Sequence, residues 1–484
     1  ISEAAELDRI LMRYSESSLA KQTLRALLDS VEPDYDVDAP EFEQHAVFAL
    51  ELAARLLLSN RDRASELYPL FLSKFESITA HLNASSKNGT LRIPYLMERT
   101  VVTILRSFIH LYDIPELRPS LKKSLLLLLG LPKKFRSEVA DRLACGMAII
   151  LRGSFASFEA EDEWVFIGGL LDMAARYKSG RGFVFDGIAS CVEYALPSCP
   201  YPLIHLSHSS LTGLERKGDD AKEIDQVGIS YEGCCVFSRL LTKFIFGSYE
   251  ADISMSVPAM LCLEKVYWHL FHLATDYTAI EENEADKNES GEEAIVPVPD
   301  EELWQTVTTA FYSICLSPDH ETSRQGAECV ERFLLNTKCK SVSHATWLAV
   351  LDTMSSKQPS IELHDSRMKV YAFLGKLVLL IVPELSADKE NWDALTDIVK
   401  KMCVICAENL VAGRRGSVSP LFESTVQTVT NLSNVMMMPE FAQDDGFSLW
   451  AGESLLAELE KVGANGGAAA MIAARTKPQQ PEKE

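Results

Sequence analysis

Apolar residues recur along most of this chain at i, i+3, i+4 and i+7, the spacing that lines one face of an α-helix, while two-residue alternation is scarce. The run over 40–60 predicts one helix. After a break at Arg61–Asp62, the run over 64–83 predicts its partner, with Pro69 as a kink or first-turn residue. The polar stretch 84–90 closes the pair on Asn88–Gly89, a turn dipeptide because both residues tolerate positive φ. The same pattern predicts helices near 94–112, 116–130, 134–152, 161–177, 184–195, 230–248 and 256–276, then near 301–316, 319–336, 343–357, 360–382, 390–411, 419–437 and 448–461. Helix pairs with short connections, spaced by roughly 35–45 residues, are the pattern of HEAT and armadillo-like solenoids. The predicted fold is therefore all-α, a helical-pair solenoid, with a large irregular α-bundle as the alternative.

Three segments interrupt the pattern. The stretch 207–230 is polar around Gly218, Asp219 and Asp220 and reads as an exposed loop. The stretch 279–302 is dominated by acidic residues and carries Pro297 and Pro299; it lacks the apolar material for a core and is expected to be a disordered or extended linker. From Ala464 onward the chain is rich in Gly and Ala, then Lys, Pro and Gln, the composition of a disordered tail. The expected organisation is helical regions at 1–113, 114–278 and 303–463, with the acidic linker at 279–302 and the tail at 464–484.

The helix near 94–112 is the most regular. Pro94 suits the first helical position, where its missing N–H costs nothing, and Glu98 lies in the early turns, where the helix dipole favours an anion. Tyr95, Val101, Val102, Leu105 and Phe108 follow at helical spacing and are expected to form one buried face. Glu98 and Arg99, about 100° apart on the helix, reach different neighbours and are expected to organise packing between helices.

Composition narrows the function. The 484 residues carry 69 acidic against 47 basic side chains, a net charge of −22, which speaks against binding along a phosphate backbone and so against a nucleic-acid role. The 11 cysteines are scattered, as reduced core thiols are, without the spacing of a secreted disulfide framework. The first residues are acidic with no apolar stretch of a signal peptide, and the leucine run 125–131 is far short of the about 20 residues a bilayer requires. A cytoplasmic protein is expected, and its start at Ile1 suggests a piece of a longer chain.

Candidate chemistry is sparse. Cys403 and Cys406 have CxxC spacing without a second pair, and the pairs His269/His272 and His205/His208 lack a third ligand, so no metal or cofactor site is expected. The glycine-containing run 178–182 reads as a helix end, turn and restart, and no phosphate-cradling or nucleophile-elbow motif occurs, so no catalytic residue is assigned. Between Arg118 and Arg142 basic residues outnumber acidic ones, which makes Lys122, Lys123, Lys133, Lys134 and Arg136 candidates for contact with an anionic membrane, against the plainer reading of solvated lysines around a leucine core. Ser417, after Arg414 and Arg415, has the surroundings of a basophilic phosphorylation site.

The order Tyr95, Leu96, Glu98, Arg99, Val101, Leu105, Arg106 resembles a segment just downstream of the catalytic domain in the large Golgi-type Arf guanine-nucleotide exchange factors, the brefeldin-A-related, Gea/GNOM/GBF-like proteins. The run 160–172, AEDEWVFIGGLLD, is similar to the tryptophan-containing helix start after that family's next repeat, with Asp162 and Trp164 as anchors. Glu390–Trp392 with Leu395 and Ile398 resembles a late helix, and 423–436 resembles the Glu-x-Leu-Lys-Asn-x-Leu-x-x-Met region, from which Val426, Gln427 and Thr428 or Thr430 depart. The resemblance covers most of the chain and is strongest at 93–175.

In that family a Sec-seven domain opens the Arf nucleotide site with a glutamate finger, and helical domains called homology downstream of Sec-seven follow it. The finger motif Phe-Arg-Leu-Pro-Gly-Glu-Ala does not occur in this sequence, nor does the family's N-terminal dimerisation and cyclophilin-binding region. The resemblance implies the downstream regulatory region alone, with no catalysis of its own, peripherally associated with Golgi membranes. Its implied partners are an Arf-family GTPase through the parent protein, Golgi lipids and further proteins. An unrelated HEAT-type adaptor or vesicle-coat scaffold is the competing reading, and the trans-Golgi branch of the exchange factors stays open.

Overall fold

Proline at a first turn, acidic or hydroxyl side chains at helix starts and apolar stripes between them produce a succession of helices. The computed structural model describes residues 17–31, 40–86, 94–154, 158, 161–195, 229–245, 253–284, 301–337, 342–413, 420–442 and 446–463. In chain order the helices are α1 (Ser17–Asp29), α2 (Pro40–Ser59), α3 (Ala64–Ser86), α4 (Pro94–Leu111), α5 (Arg118–Leu129), α6 (Lys133–Ser154), α7 (Glu161–Ala175), α8 (Lys178–Ala195) and α9 (Tyr231–Ile245). They continue with α10 (Ile253–Glu284), α11 (Glu301–Cys315), α12 (His320–Asn336), α13 (His344–Ser356), α14 (His364–Leu385), α15 (Trp392–Gly413), α16 (Pro420–Met436), α17 (Pro439–Ala442) and α18 (Phe447–Gly463). No strand occurs among the described residues.

The helices form two compact units, one built on α1–α8 with most of α9, the other on α11–α18, with the residues of α10 assigned to both. In the first unit α2, α4, α6 and α8 stack in one layer and α1, α3, α5 and α7 in a second, so each helix packs on the next but one as well as on its hairpin partner. In the second unit α11, α13 and α15 form one layer and α12, α14, α16 and α18 the other, with α15 also packing on α16 and α18. Each unit is thus an array of the HEAT/armadillo-like solenoid type, in which neighbouring repeats bury a continuous core.

A cap shared between rungs sets the register of each array. Glu43, in the first turn of α2, accepts hydrogen bonds from the backbone N–H groups of Tyr95 (2.6 Å) and Leu96 (3.0 Å) at the start of α4. Glu301, the first residue of α11, does the same for α13: its carboxylate accepts from Ser343 N–H (2.8 Å), Ser343 Oγ (2.8 Å) and Thr346 Oγ1 (2.9 Å). A helix start leaves N–H groups without intrahelical partners and carries partial positive charge, so a carboxylate from the preceding rung satisfies both. Helices two apart therefore run parallel with their first turns level.

The cross-rung separation is 43 to 56 residues in the first unit, from within the expected 35–45 to well above it, since helices of 20 and 23 residues and their connections fill the α2–α3 repeat. In the second unit it is 41 to 49.

Two expectations are corrected. Tyr95 is 67% exposed and not on the buried face, and Val102 is only half-buried; the buried set is Leu96, Met97, Thr100, Val101, Thr103, Ile104, Leu105, Ser107, Phe108 and Leu111, a wider stripe because α4 is flanked by α2 and α6. The run 178–182 is the first turn of α8 and not a connection. A Cβ on Gly180 would lie 2.7 Å from the Ala174 carbonyl oxygen and 2.8 Å from that of Ala140, so this glycine lets α8 approach the α6 backbone. In addition, α10 continues to Glu284, past the expected end near 276. The loop 207–228, most of the acidic linker (285–300), the tail 464–484 and Ser417 lie outside the described residues.

Candidate interaction surfaces

The residues singled out on α4 are braces between rungs. Glu51 of α2 accepts from Arg99 Nη1 (3.0 Å) and Arg106 Nη1 (3.0 Å) of α4, and from Arg55 Nε (3.4 Å) of its own helix. Burial pushes the Glu51 carboxyl up, but the hydrogen bond and charge of Arg106 and the charge of Arg99 outweigh it and hold the group below its ordinary value. Glu98 faces the other way and accepts from Arg142 Nε of α6 (2.9 Å). Adjacent residues on α4 thus brace opposite neighbours, as their angular separation requires. Leu96 is buried in the core below them.

Trp164 of α7 is fully buried and donates its indole N–H to the Phe158 carbonyl (3.1 Å). It sits in a file of rings: Phe108 stacks on Tyr112 (4.4 Å between centroids), Tyr112 meets Phe158 edge-on (5.5 Å), and Phe158 (5.4 Å) and Phe237 of α9 (5.6 Å) meet Trp164 edge-on. Such pairs contribute about 0.5–1.5 kcal/mol each beyond buried area. Gly233 makes room for the indole, since a Cβ there would fall 2.8 Å from its Cε2 atom.

The basic edge is less uniform than its sequence. Lys122 is ion-paired to Glu163, a carboxylate only 4% exposed that also accepts from Tyr112 OH (3.0 Å). Lys123 pairs with Glu76 of α3 (2.6 Å) while keeping 59% of its side chain in solvent. Arg136 donates to the carbonyls of Leu129 (3.0 Å) and Leu131 (2.5 Å), closing the C-terminal end of α5. Lys133 and Lys134 stand exposed in the first turn of α6. Lys122 and Arg136 thus brace the packing, while Lys123, Lys133 and Lys134 are exposed to solvent. The sequence alone did not disclose Glu43, Glu51, Glu163 and Glu301, whose roles depend on distant partners.

In the second unit a cleft of about 490 Å³ opens between the end of α13 and helices α14 and α15, bordered by Gln358, Arg367, Lys400, Lys401, Val404 and Glu408. Its charges are matched locally: Arg367 pairs with Glu408 (2.7 Å), and Lys401 with Asp352 (2.5 Å) and Asp397 (2.6 Å). The lining also includes Ser355, Ser356 and Ile405, and contains neither histidine nor cysteine. Burial pushes the thiol of Cys403 up to about 11 and that of Cys406 up to about 12, which keeps both protonated at neutral pH and weak nucleophiles. Among the described residues no group of three or more His, Cys, Asp or Glu is placed to hold a metal ion, and no helix is long and apolar enough to cross a membrane.

No protein-family model matches the chain. Among curated proteins it is similar to the ARF guanine-nucleotide exchange factor GNOM of Arabidopsis thaliana, 25% identical over 179 residues, which are 37% of this chain and 12% of GNOM. A solved structure, a circular tandem repeat protein with novel repeat topology and enhanced subunit contact surfaces, aligns over 98% of this chain and 99% of its own. Its TM-score is 0.23 at 10% identity, a level from which shared architecture does not follow.

Proposed function

We propose that this chain is a downstream, non-catalytic helical region of a Golgi-type Arf guanine-nucleotide exchange factor, a scaffold that holds the exchange domain of its parent protein at the membrane. The observation that carries this reading is the similarity to GNOM over 179 residues. Two arrays of stacked helices suit a scaffold, because they offer long surfaces. In this reading 1–113 is the end of a first downstream region, 114–278 a second and 303–463 a third, joined by the acidic segment 279–302.

Holding the exchange domain at a bilayer raises its effective concentration for a membrane-bound GTPase without any new contact to the nucleotide. Lys123, Lys133 and Lys134 are solvent-exposed cations that could meet anionic lipid, and at about 1 kcal/mol each they set an upper limit of about 3 kcal/mol, which is reversible attachment. Phosphorylation at Ser417 would add roughly two negative charges beside Arg414 and Arg415. The protein is cytoplasmic and peripheral to Golgi membranes in this reading, and its remaining contacts are with proteins.

Mant-GDP release from an Arf GTPase tests the proposal. The isolated chain should leave release at the spontaneous rate. The parent exchange factor lacking this region should lose about tenfold of its rate on anionic liposomes while keeping its rate in solution. Acceleration by the chain alone, or an undiminished liposome rate after deletion, overturns it.

A further inference from the structure

The cleft beside α15 has an ordered wall. Lys400, Val404 and Glu408 follow one another at i, i+4 and i+8 on α15 and all border it, so a cation, an apolar group and an anion stand about 6 Å apart along one ridge of the helix. Val404 is 59% exposed. Lys400 is exposed and has no ion-pair partner among the described residues, whereas Lys401 beside it is held by Asp352 and Asp397. Glu408 gives one oxygen to Arg367 and keeps 51% of its side chain in solvent.

The groups behind this wall are fixed. Arg367, only 4% exposed, donates Nε to the Asn409 side-chain oxygen, Nη1 to the Pro359 carbonyl (2.8 Å) and Nη2 to Glu408 (2.7 Å), which holds the acidic end of the ridge in place. Beyond the end of α13, Gln358 donates its Nε2 to the Met354 carbonyl (2.6 Å), so Oε1 is left as the acceptor. That oxygen has no hydrogen-bond partner among the described residues.

We propose that this cleft binds an extended peptide segment of a partner protein, in which alternate residues are acidic, apolar and basic. Side chains two apart in an extended chain share a face and lie about 6.6–6.8 Å apart, close to the 6 Å between ridge positions four apart on a helix. In this register the acidic side chain meets Lys400, the apolar one packs on Val404 and Ile405, and the basic one meets the open oxygen of Glu408. A main-chain N–H of the peptide supplies the donor that Gln358 Oε1 lacks. The cleft of about 490 Å³ lies within the range of about 300–1,000 Å³ usual for such sites and suits a stretch of a few residues. Charge selects the occupant: a wholly acidic or wholly basic ligand meets a like charge at one end of the ridge. The inference rests on α13, α14 and α15 alone and does not depend on the function proposed above.

Isothermal titration calorimetry on the full chain tests it, with the peptide Glu-Ser-Leu-Ser-Lys acetylated and amidated at its ends so that only its side chains are charged. Saturable binding is expected with a dissociation constant below about 1 mM. Lys400→Glu, at an exposed position outside the core, should weaken binding at least about tenfold, and this variant should bind Lys-Ser-Leu-Ser-Lys at least about tenfold more tightly than the native chain does. Val404→Asp should remove binding of both peptides. Failure of the native chain to bind overturns the proposal, as do affinity indifferent to Lys400→Glu and equal affinity of the native chain for the two peptides. Dimerisation of the native chain in the ultracentrifuge that Lys400→Glu abolishes also overturns it, because the cleft then belongs to a second copy.

Discussion

Lys122 of α5 neutralises Glu163 of α7, a nearly buried carboxylate whose second partner, Tyr112, comes from the end of α4. The ion pair and the tyrosine hydrogen bond thereby link α5, α7 and the end of α4, and the two members of the pair contribute very differently. Glu163 has 6% of its side chain in solvent and Lys122 25%, so removing the lysine strands the carboxylate, whereas removing the carboxylate leaves an ammonium that reaches water.

Lys122→Ala should therefore lower stability by about 2–4 kcal/mol, somewhat below the loss from a fully buried pair. Lys123→Ala, which breaks a largely solvated pair with Glu76, should cost under about 1 kcal/mol. Urea denaturation of the two variants checks this, and equal losses would show that Glu163 finds another partner. Any liposome experiment on the basic edge should accordingly alter Lys123, Lys133 and Lys134 and leave Lys122 in place.

The Glu51 brace makes part of the stability depend on pH. Its folded carboxyl titrates below the ordinary value of 4.5, so its contribution is fully present above 4.5 and is lost as pH falls through the lower folded value. Glu51→Gln should be less stable than the native chain at neutral pH, and the gap should close progressively below 4.5. Thermal melts from pH 7 down to pH 3 measure it; a gap that stays constant would remove Glu51 from the account.

Two glycines in the first turns of α8 should respond oppositely to alanine. Gly180→Ala drives a Cβ against two backbone carbonyls and should cost about 1–3 kcal/mol. Gly182 has open space around its missing Cβ, and Gly182→Ala should stabilise the helix by about 0.4–1 kcal/mol. Melting temperatures of the pair decide whether close approach or helix propensity governs this segment.

Thiol labelling followed by peptide mapping should find Cys145, which is exposed, modified before Cys403, and Cys406 modified only on unfolding. The order follows from burial, which leaves the Cys406 thiol protonated near pH 8. Early labelling of Cys406 would mean that α15 opens in the native state.

The helices were legible because burial on one face imposes a period that survives in any single segment, as over 94–111. Lys178–Gly182 misled because two glycines signal a turn by propensity, and only the backbone of α6 explains one of them. Tyr95 misled because an aromatic residue near a helical stripe counts as apolar whether or not it lies on the core side. At the basic edge a different limit applies: a lysine reads the same in sequence whether it is solvated or paired, and the partner of Lys122 sits on another helix. The candidate surfaces are thus less legible than the fold, since each is made by residues from rungs that the local pattern does not connect.

The shared caps have a bearing on biosynthesis. Glu43 waits 52 residues for the N–H groups it will bond, and Glu301 waits 42 for those of Ser343. At these two rungs a prepared carboxylate thus meets the helix that emerges next, at a delay of about 2–10 s for a ribosome adding 5–20 residues per second. Growth of the array from its amino end becomes templated, with the register of a new helix set by the helix already in place.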